Sequence, residues 1–117
     1  MSSSPSTPPS ERRRAERVRA DLSARWQGAE ARRAGTVTDI SVTGCFILTS
    51  DDVTAGERVR VEMRAPGGRR VSQPGEVVYR VPEMGFAVRF TEASPTEHAA
   101  LQYLFLELKA KQILGGA

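Results

Sequence analysis

The side chains with the greatest chemical reach lie near the N-terminus, where Arg12, Arg13, Arg14, Arg17 and Arg19 fall within eight positions. A guanidinium can fork onto phosphate oxygens, take both O6 and N7 of a guanine, or stack on a purine plane. A second constellation follows at Asp39-Ile40-Ser41-Val42-Thr43-Gly44. It sets a carboxylate and a hydroxyl two residues apart, on one face of a strand, just before a bend at which Gly44 permits a positive φ. An aspartate can accept the N1 and N2 protons of guanine's Watson–Crick edge, and a serine hydroxyl can serve phosphate or base. Together the two describe a guanine site with phosphate cover. Each has a plainer reading as well: the arginines as a solvated electrostatic patch, Asp39 and Ser41 as a turn whose side chains bond their own backbone.

Other chemistries find little support. The single histidine, His98, stands beside Glu97 with no spacing that would bring it to a nucleophile and an acid. The carboxylates are scattered over polar strand faces and turns, with Asp51-Asp52 itself reading as a turn, so neither a metal site nor a catalytic residue is expected. No glycine-rich loop has Walker spacing, and Gly67-Gly68 reads as a hairpin. The lone Cys45, in Gly44-Cys45-Phe46-Ile47-Leu48, reads as a small core residue, and a chain with one cysteine suits a reducing compartment.

The elements that must carry these groups are legible from periodicity. Residues 1–10 hold five serines and three prolines and are expected to form a disordered tail. From Val18 the pattern alternates, with Val18, Ala20, Leu22, Ala24 and Trp26 against Arg19, Asp21, Ser23 and Arg25, which predicts a half-buried strand. Two short strands should flank the bend at 41–44. Val59, Val61 and Met63 mark another, closed by a turn at Ala65-Pro66-Gly67-Gly68. A strand opening at Val71 is expected to be interrupted by a bulge or edge at Pro74-Gly75 and to resume with Val77, Tyr79 and Val81. After a turn at 82–85, Phe86, Val88 and Phe90 predict a last strand. Ser94, Pro95 and Glu97 then form a capping box, and Leu101, Leu104, Phe105, Leu108 and Leu114 recur at helical spacing, which predicts a helix over 95–112.

Strands without intervening helices point to a closed or nearly closed antiparallel barrel, which removes exposed edges. With 117 residues, 39% of them hydrophobic and 26% charged, the chain is sized for one core. No stretch approaches the roughly 20 apolar residues of a membrane span, and the polar N-terminus is not that of a secretory signal. No membrane insertion and a cytoplasmic location are expected.

The two constellations in this order resemble the PilZ-domain family of cyclic di-GMP receptors, identified by R-x-x-x-R ahead of a barrel and D/N-x-S-x-x-G some twenty to thirty residues later. Arg13 and Arg17 match the first motif, and Asp39, Ser41 and Gly44 the second. The similarity runs from Glu11 to about Lys111 and includes Gly85-Phe86-Ala87-Val88-Arg89-Phe90 ahead of the terminal helix. It implies an all-β fold with a C-terminal helix: a six-stranded antiparallel barrel over 11–114 with an arginine switch segment at 11–19. It further implies cyclic di-GMP held between that segment and the barrel's outer surface. Arg13 and Arg17 would clasp phosphates and guanines, Asp39 and Ser41 would read one guanine, and Gly44 would keep the bend open. Arg12 looks like the variant that takes up a stacked pair of ligand molecules. Many members carry a second glycine where Thr43 stands. The function expected is that of a receptor and adaptor without enzymatic activity or cofactor, whose changed surface is passed to an effector protein. The alternatives are a PilZ-like adaptor that binds no nucleotide and, lower, a barrel that binds nucleic acid through Arg12 to Arg19. The second wants aromatic stacking platforms, and only 6% of residues are aromatic.

Overall fold

The structure is a computed structural model that describes residues 15–28 and 32–115. The expected tail over 1–10, and with it Arg12 and Arg13, lies outside the described residues.

Six strands form the body: β1 (Val18–Gln27), β2 (Arg32–Ile40), β3 (Gly44–Leu48), β4 (Arg58–Arg64), β5 (Arg70–Val81) and β6 (Gly85–Phe90), followed by helix α1 (Pro95–Gly115). All neighbours are antiparallel, and the sheet closes in the order β1-β2-β3-β6-β5-β4 by pairing β4 back onto β1. Closure gives every strand two neighbours, with β1 meeting β4 over Ala24–Gln27. The alternation of β1 runs as its sequence predicts, Val18, Leu22, Ala24 and Trp26 turning inward between exposed polar residues. Trp26 meets Phe86 edge-on, ring centroids 5.0 Å apart, at the centre of a core that also holds Val37, Ile40, Ile47, Val61, Met63 and Val77.

The β4–β5 connection is a single 3-10 turn at Pro66–Gly68, with φ of +88° at Gly67 and +93° at Gly68. Only glycine adopts that region without strain, which is why this doublet closes the hairpin. The capping box of α1 forms: Ser94 N donates to Glu97 Oε1 at 2.9 Å and Glu97 N to Ser94 Oγ at 3.1 Å. The helix lies against β1 and β5, inserting Leu101, Leu104, Phe105 and Leu108. Each such side chain contributes roughly 1.5–3 kcal/mol on burial.

Four expectations need correction. β5 is not interrupted at Pro74-Gly75: Pro74 pairs with Arg60 of β4 and its carbonyl accepts from Thr91 N. It lies one residue beyond the last β5–β6 pair, Gly75 with Phe90, so its missing N–H removes no bond from that ladder. The bulge falls instead between Val77 and Tyr79, where β5 carries an extra residue against β6. That extra residue reverses the alternation, so Val77 faces the core while Tyr79 and Val81 are exposed. Leu114 also faces solvent; six residues past Leu108, it sits about 240° further round the helix, off the inner stripe. Finally, Gly44 does not have a positive φ; among the described glycines only 56, 67 and 68 do.

Candidate functional site

Asp39 borders a second irregularity. Between Val37 and Asp39 the β2–β3 register shifts, and β2 ends at Ile40. Val37 and Ile40 both point into the core, which leaves Asp39 on the outer surface across from Arg19 on one side and Phe46 on the other. Arg17, just ahead of β1, reaches over to it: Nε and Nη2 donate to the same oxygen, Oδ1, at 3.0 and 2.7 Å. The R-x-x-x-R and D-x-S-x-x-G constellations therefore meet through Arg17 and Asp39.

Ser41 does not share the solvent face of Asp39. With the strand ended, it is wholly buried, and its Oγ accepts from Thr43 N at 3.1 Å and Gly44 N at 3.2 Å while standing 2.9 Å from Thr43 Oγ1. Ser41 N also donates to Gly44 O at 2.8 Å. The hydroxyl is thus the internal tie of the 41–44 bend, a role the residue types allowed from the start. Gly44 serves close approach: a Cβ there would stand 2.3 Å from Val88 O of β6. Its lack of a side chain lets β3 and β6 keep a flat outer surface at this point.

Around this pair lies a concavity of about 370 Å³ lined by Arg17, Asp39, Thr43, Gly44, Phe46, Val78, Tyr79, Ala87, Val88 and Arg89. Pairing explains its shape. Phe46 sits opposite Ala87, Ala87 opposite Tyr79, and Gly44 opposite Arg89. Two small residues make the floor, two aromatic side chains stand over it, and Arg17 and Arg89 mark its rim. Arg89 in turn pairs with Glu76 at 2.6 Å. Phe46, Tyr79 and Arg89 escaped sequence reasoning, because their meeting depends on strand register and on the β5 bulge. The outward parity of Phe46 between Cys45 and Ile47 was the one available signal.

Beneath the floor, Cys45 is fully buried and its thiol is pushed up to about 12, first by loss of solvent and then by the negative Asp39, with Arg17 opposing. A thiol so held is inert, as expected of a core residue. His98 is exposed and lies 3.2 Å from Gln102 Nε2. Among the described residues no group of His, Cys, Asp or Glu is arranged to hold a metal ion, and no described helix is long and apolar enough to cross a membrane.

The segment bearing Arg17 is fastened to α1 on both sides. Lys109 Nζ bonds Glu16 Oε1 at 2.7 Å, and Gln112 Nε2 donates to the carbonyl of Arg19.

This architecture is that of a recognisable class. The sequence profile described as PilZ domain matches residues 11–107, and the chain belongs to that family. Comparison with curated proteins gave no match. Among solved structures, the PilZ domain with c-di-GMP of YcgR from Escherichia coli is 17% identical with a TM-score of 0.74, over 91% of this chain and 99% of that one. The PilZ domain of CeSA from a cellulose-synthesizing bacterium is 15% identical with a TM-score of 0.69, over 81% of this chain and 99% of that one. The Bacillus subtilis inhibitor of motility, MotI/DgrA, is 22% identical with a TM-score of 0.68; 86% of this chain is covered, and it spans only about half (53%) of that protein. At these identities the likeness is one of fold: the six-stranded barrel with its C-terminal helix.

Proposed function

We propose that this chain is a cyclic di-GMP receptor without catalytic activity, in which Arg12, Arg13 and Arg17 clamp the ligand against the outer barrel surface at Asp39. The observation that carries this reading is the Arg17–Asp39 pair at the rim of a concavity with a small-residue floor and two aromatic walls. A guanine offers N1 and N2 protons to a carboxylate, a flat face to Phe46 or Tyr79, and O6 and N7 to a guanidinium. The phosphates call for further arginines, which Arg12 and Arg13 of the first motif and Arg89 at the rim of the concavity would supply. Both described arginines rest on exposed carboxylates, Asp39 and Glu76, in pairs worth only about 0–1 kcal/mol. A phosphate can displace such partners at little cost. Ser41 and Gly44 contribute by shaping the bend and the floor.

Ordering the arginine segment over the ligand costs on the order of 1–2 kcal/mol per residue, and charge-assisted bonds of about 1.5–3 kcal/mol each offset it. The rearranged segment is then the surface presented to an effector protein. Titration calorimetry with cyclic di-GMP, with GTP and an Arg13→Ala, Asp39→Ala double variant as controls, tests the reading. Saturable binding that is lost in the variant supports it, and a stoichiometry of two ligands per chain assigns Arg12 to a stacked pair. Absence of heat from the folded protein at high ligand concentration overturns it in favour of an adaptor that works without nucleotide.

A further inference from the structure

β1 has a neighbour on each side but is not paired along its whole length. It meets β2 from Val18 to Gln27, whereas β4 joins it only over 24–27. β4 ends at Arg64, and the chain turns away through Pro66–Gly68. Beside residues 19–23, therefore, no strand runs on the β4 side of β1, and an unpaired edge is a template for another strand. This edge opens into a groove: the carbonyl of Arg19 accepts from Gln112 Nε2 of α1, and both residues line a recess of about 770 Å³ that takes in all of 19–23. It is larger than the concavity of about 370 Å³ at Asp39.

The walls say what kind of strand fits. Arg19, Arg64 and Lys111 line the groove, all are exposed, and among the described residues no carboxylate forms an ion pair with any of them. Asp21 is the one acid in the lining, so the excess of charge is positive. The floor is apolar, made by buried Leu22, Ala65 and Leu108. An extended segment turns alternate side chains to opposite sides. One that alternates carboxylates with apolar residues sets the first against the cations and the second on the floor.

Charge also excludes nearer occupants. A second copy of this chain would bring one cationic edge against another, and like charges across strands repel. Residues 1–14 hold three arginines and one glutamate, the wrong sign for this groove. The lining has no aromatic residue on which a single-stranded nucleic acid would stack.

We propose that the open edge of β1 at 19–23 is a docking site for an extended acidic segment of a partner protein, which adds to the barrel as a strand in the place that β4 leaves empty. The site shares no lining residue with the concavity at Asp39 and does not rest on the nucleotide reading.

Fluorescence anisotropy tests it, with the full chain, no nucleotide, and a labelled, end-capped octapeptide of alternating glutamate and valine. The same peptide N-methylated at every glutamate, or at every valine, completes the set. Saturable binding of the parent peptide at low ionic strength is expected, with slowed amide exchange within 19–23. One of the two methylated peptides should bind at least about tenfold more weakly, because every second amide of an added strand bonds its neighbour. Arg64→Glu with Lys111→Glu should weaken the parent peptide by about tenfold, as reversal of two exposed ion pairs does, with the thermal midpoint unchanged because both side chains face solvent. Absence of binding by the folded chain overturns the proposal. Binding that both methylated peptides retain, or that the double variant retains, overturns it equally. Tighter binding of single-stranded oligothymidylate of the same charge would also overturn it and assign the groove to nucleic acid.

Discussion

Lys109 of the terminal helix bonds Glu16, the residue immediately before Arg17, at 2.7 Å, so the arginine that meets Asp39 is tethered to the helix as well as to the barrel. The pair is exposed and by itself worth about 0–1 kcal/mol. Its consequence is positional. Lys109→Ala should leave the thermal midpoint within a few degrees of wild type while speeding amide exchange at 16–19. If Arg17 must then be ordered anew by the ligand, at on the order of 1 kcal/mol, affinity for cyclic di-GMP falls by about fivefold. Hydrogen-exchange mass spectrometry beside calorimetry checks both halves; unchanged exchange at 16–19 would show that the tether constrains nothing.

Ser41 separates a turn residue from a ligand residue. Ser41→Ala leaves Thr43 N and Gly44 N without their acceptor inside a buried bend, which should cost about 1–3 kcal/mol. Chemical denaturation measures this. Affinity for cyclic di-GMP, measured where the variant is fully folded, should change little. Asp39→Asn gives the reverse pattern: stability within about 1 kcal/mol, because its bond to Arg17 is exposed, and a loss of affinity of about tenfold or more.

These two residues also mark the limit of what periodicity reveals. The strict alternation of β1, the capping box at Ser94 and the glycine doublet of the β4–β5 turn are local devices, and each formed as its residues predict. Asp39, Ser41, Tyr79 and Gly44 took orientations that their local sequence does not encode. A register shift beside Asp39 and a bulge beside Tyr79 each changed which face a side chain occupies. Such shifts are set by the partner strand, since one residue of slip exchanges the two faces. Arg17 and Asp39 are 22 residues apart, and only the closure of β1 on β2 brings them to 2.7 Å. The family resemblance implied that both residues serve one ligand, but neither it nor strand patterning implied their direct bond.

Gly44→Ala tests the close approach of β3 and β6. The new methyl would stand 2.3 Å from the Val88 carbonyl, a backbone atom that cannot swing aside. Forcing the strands apart should cost about 1–3 kcal/mol, seen as a lower denaturation midpoint. Because the same shift tilts the floor between Phe46 and Arg89, ligand affinity should fall too. Gly67→Ala, in the distant turn, provides the comparison: a loss of stability without a loss of affinity in the folded protein.

Glu97 supplies a pH dependence. Its carboxyl lies below the ordinary 4.5, chiefly because Ser94 N donates to it and then because Arg60 bonds it at 2.7 Å. A carboxyl with a depressed folded pKa adds stability above its unfolded value, and that stability is lost as the pH falls through the folded one. Thermal midpoints should therefore decline as pH drops below about 4.5, and Glu97→Gln should flatten that part of the profile. Ser94→Ala, which removes the reciprocal bond to Glu97 N, should cost about 0.5–2 kcal/mol at neutral pH.

Cys45 gives a built-in gauge of barrel opening. With its thiol pushed up to about 12 by burial, the thiolate at pH 8 is on the order of one part in ten thousand, and the thiol is fully buried within the barrel. Native alkylation should thus proceed only through opening of β3, and its rate should rise steeply in denaturant toward that of the unfolded chain. A ligand that binds only the closed barrel multiplies the closed population by 1 + [L]/Kd. If cyclic di-GMP sits on Asp39 and Phe46, directly above β3, it should slow labelling by that factor, and the dependence of rate on ligand concentration should return the calorimetric Kd. Labelling that is fast in native buffer, or slowed by GTP as strongly as by cyclic di-GMP, would place the opening or the ligand elsewhere on the barrel.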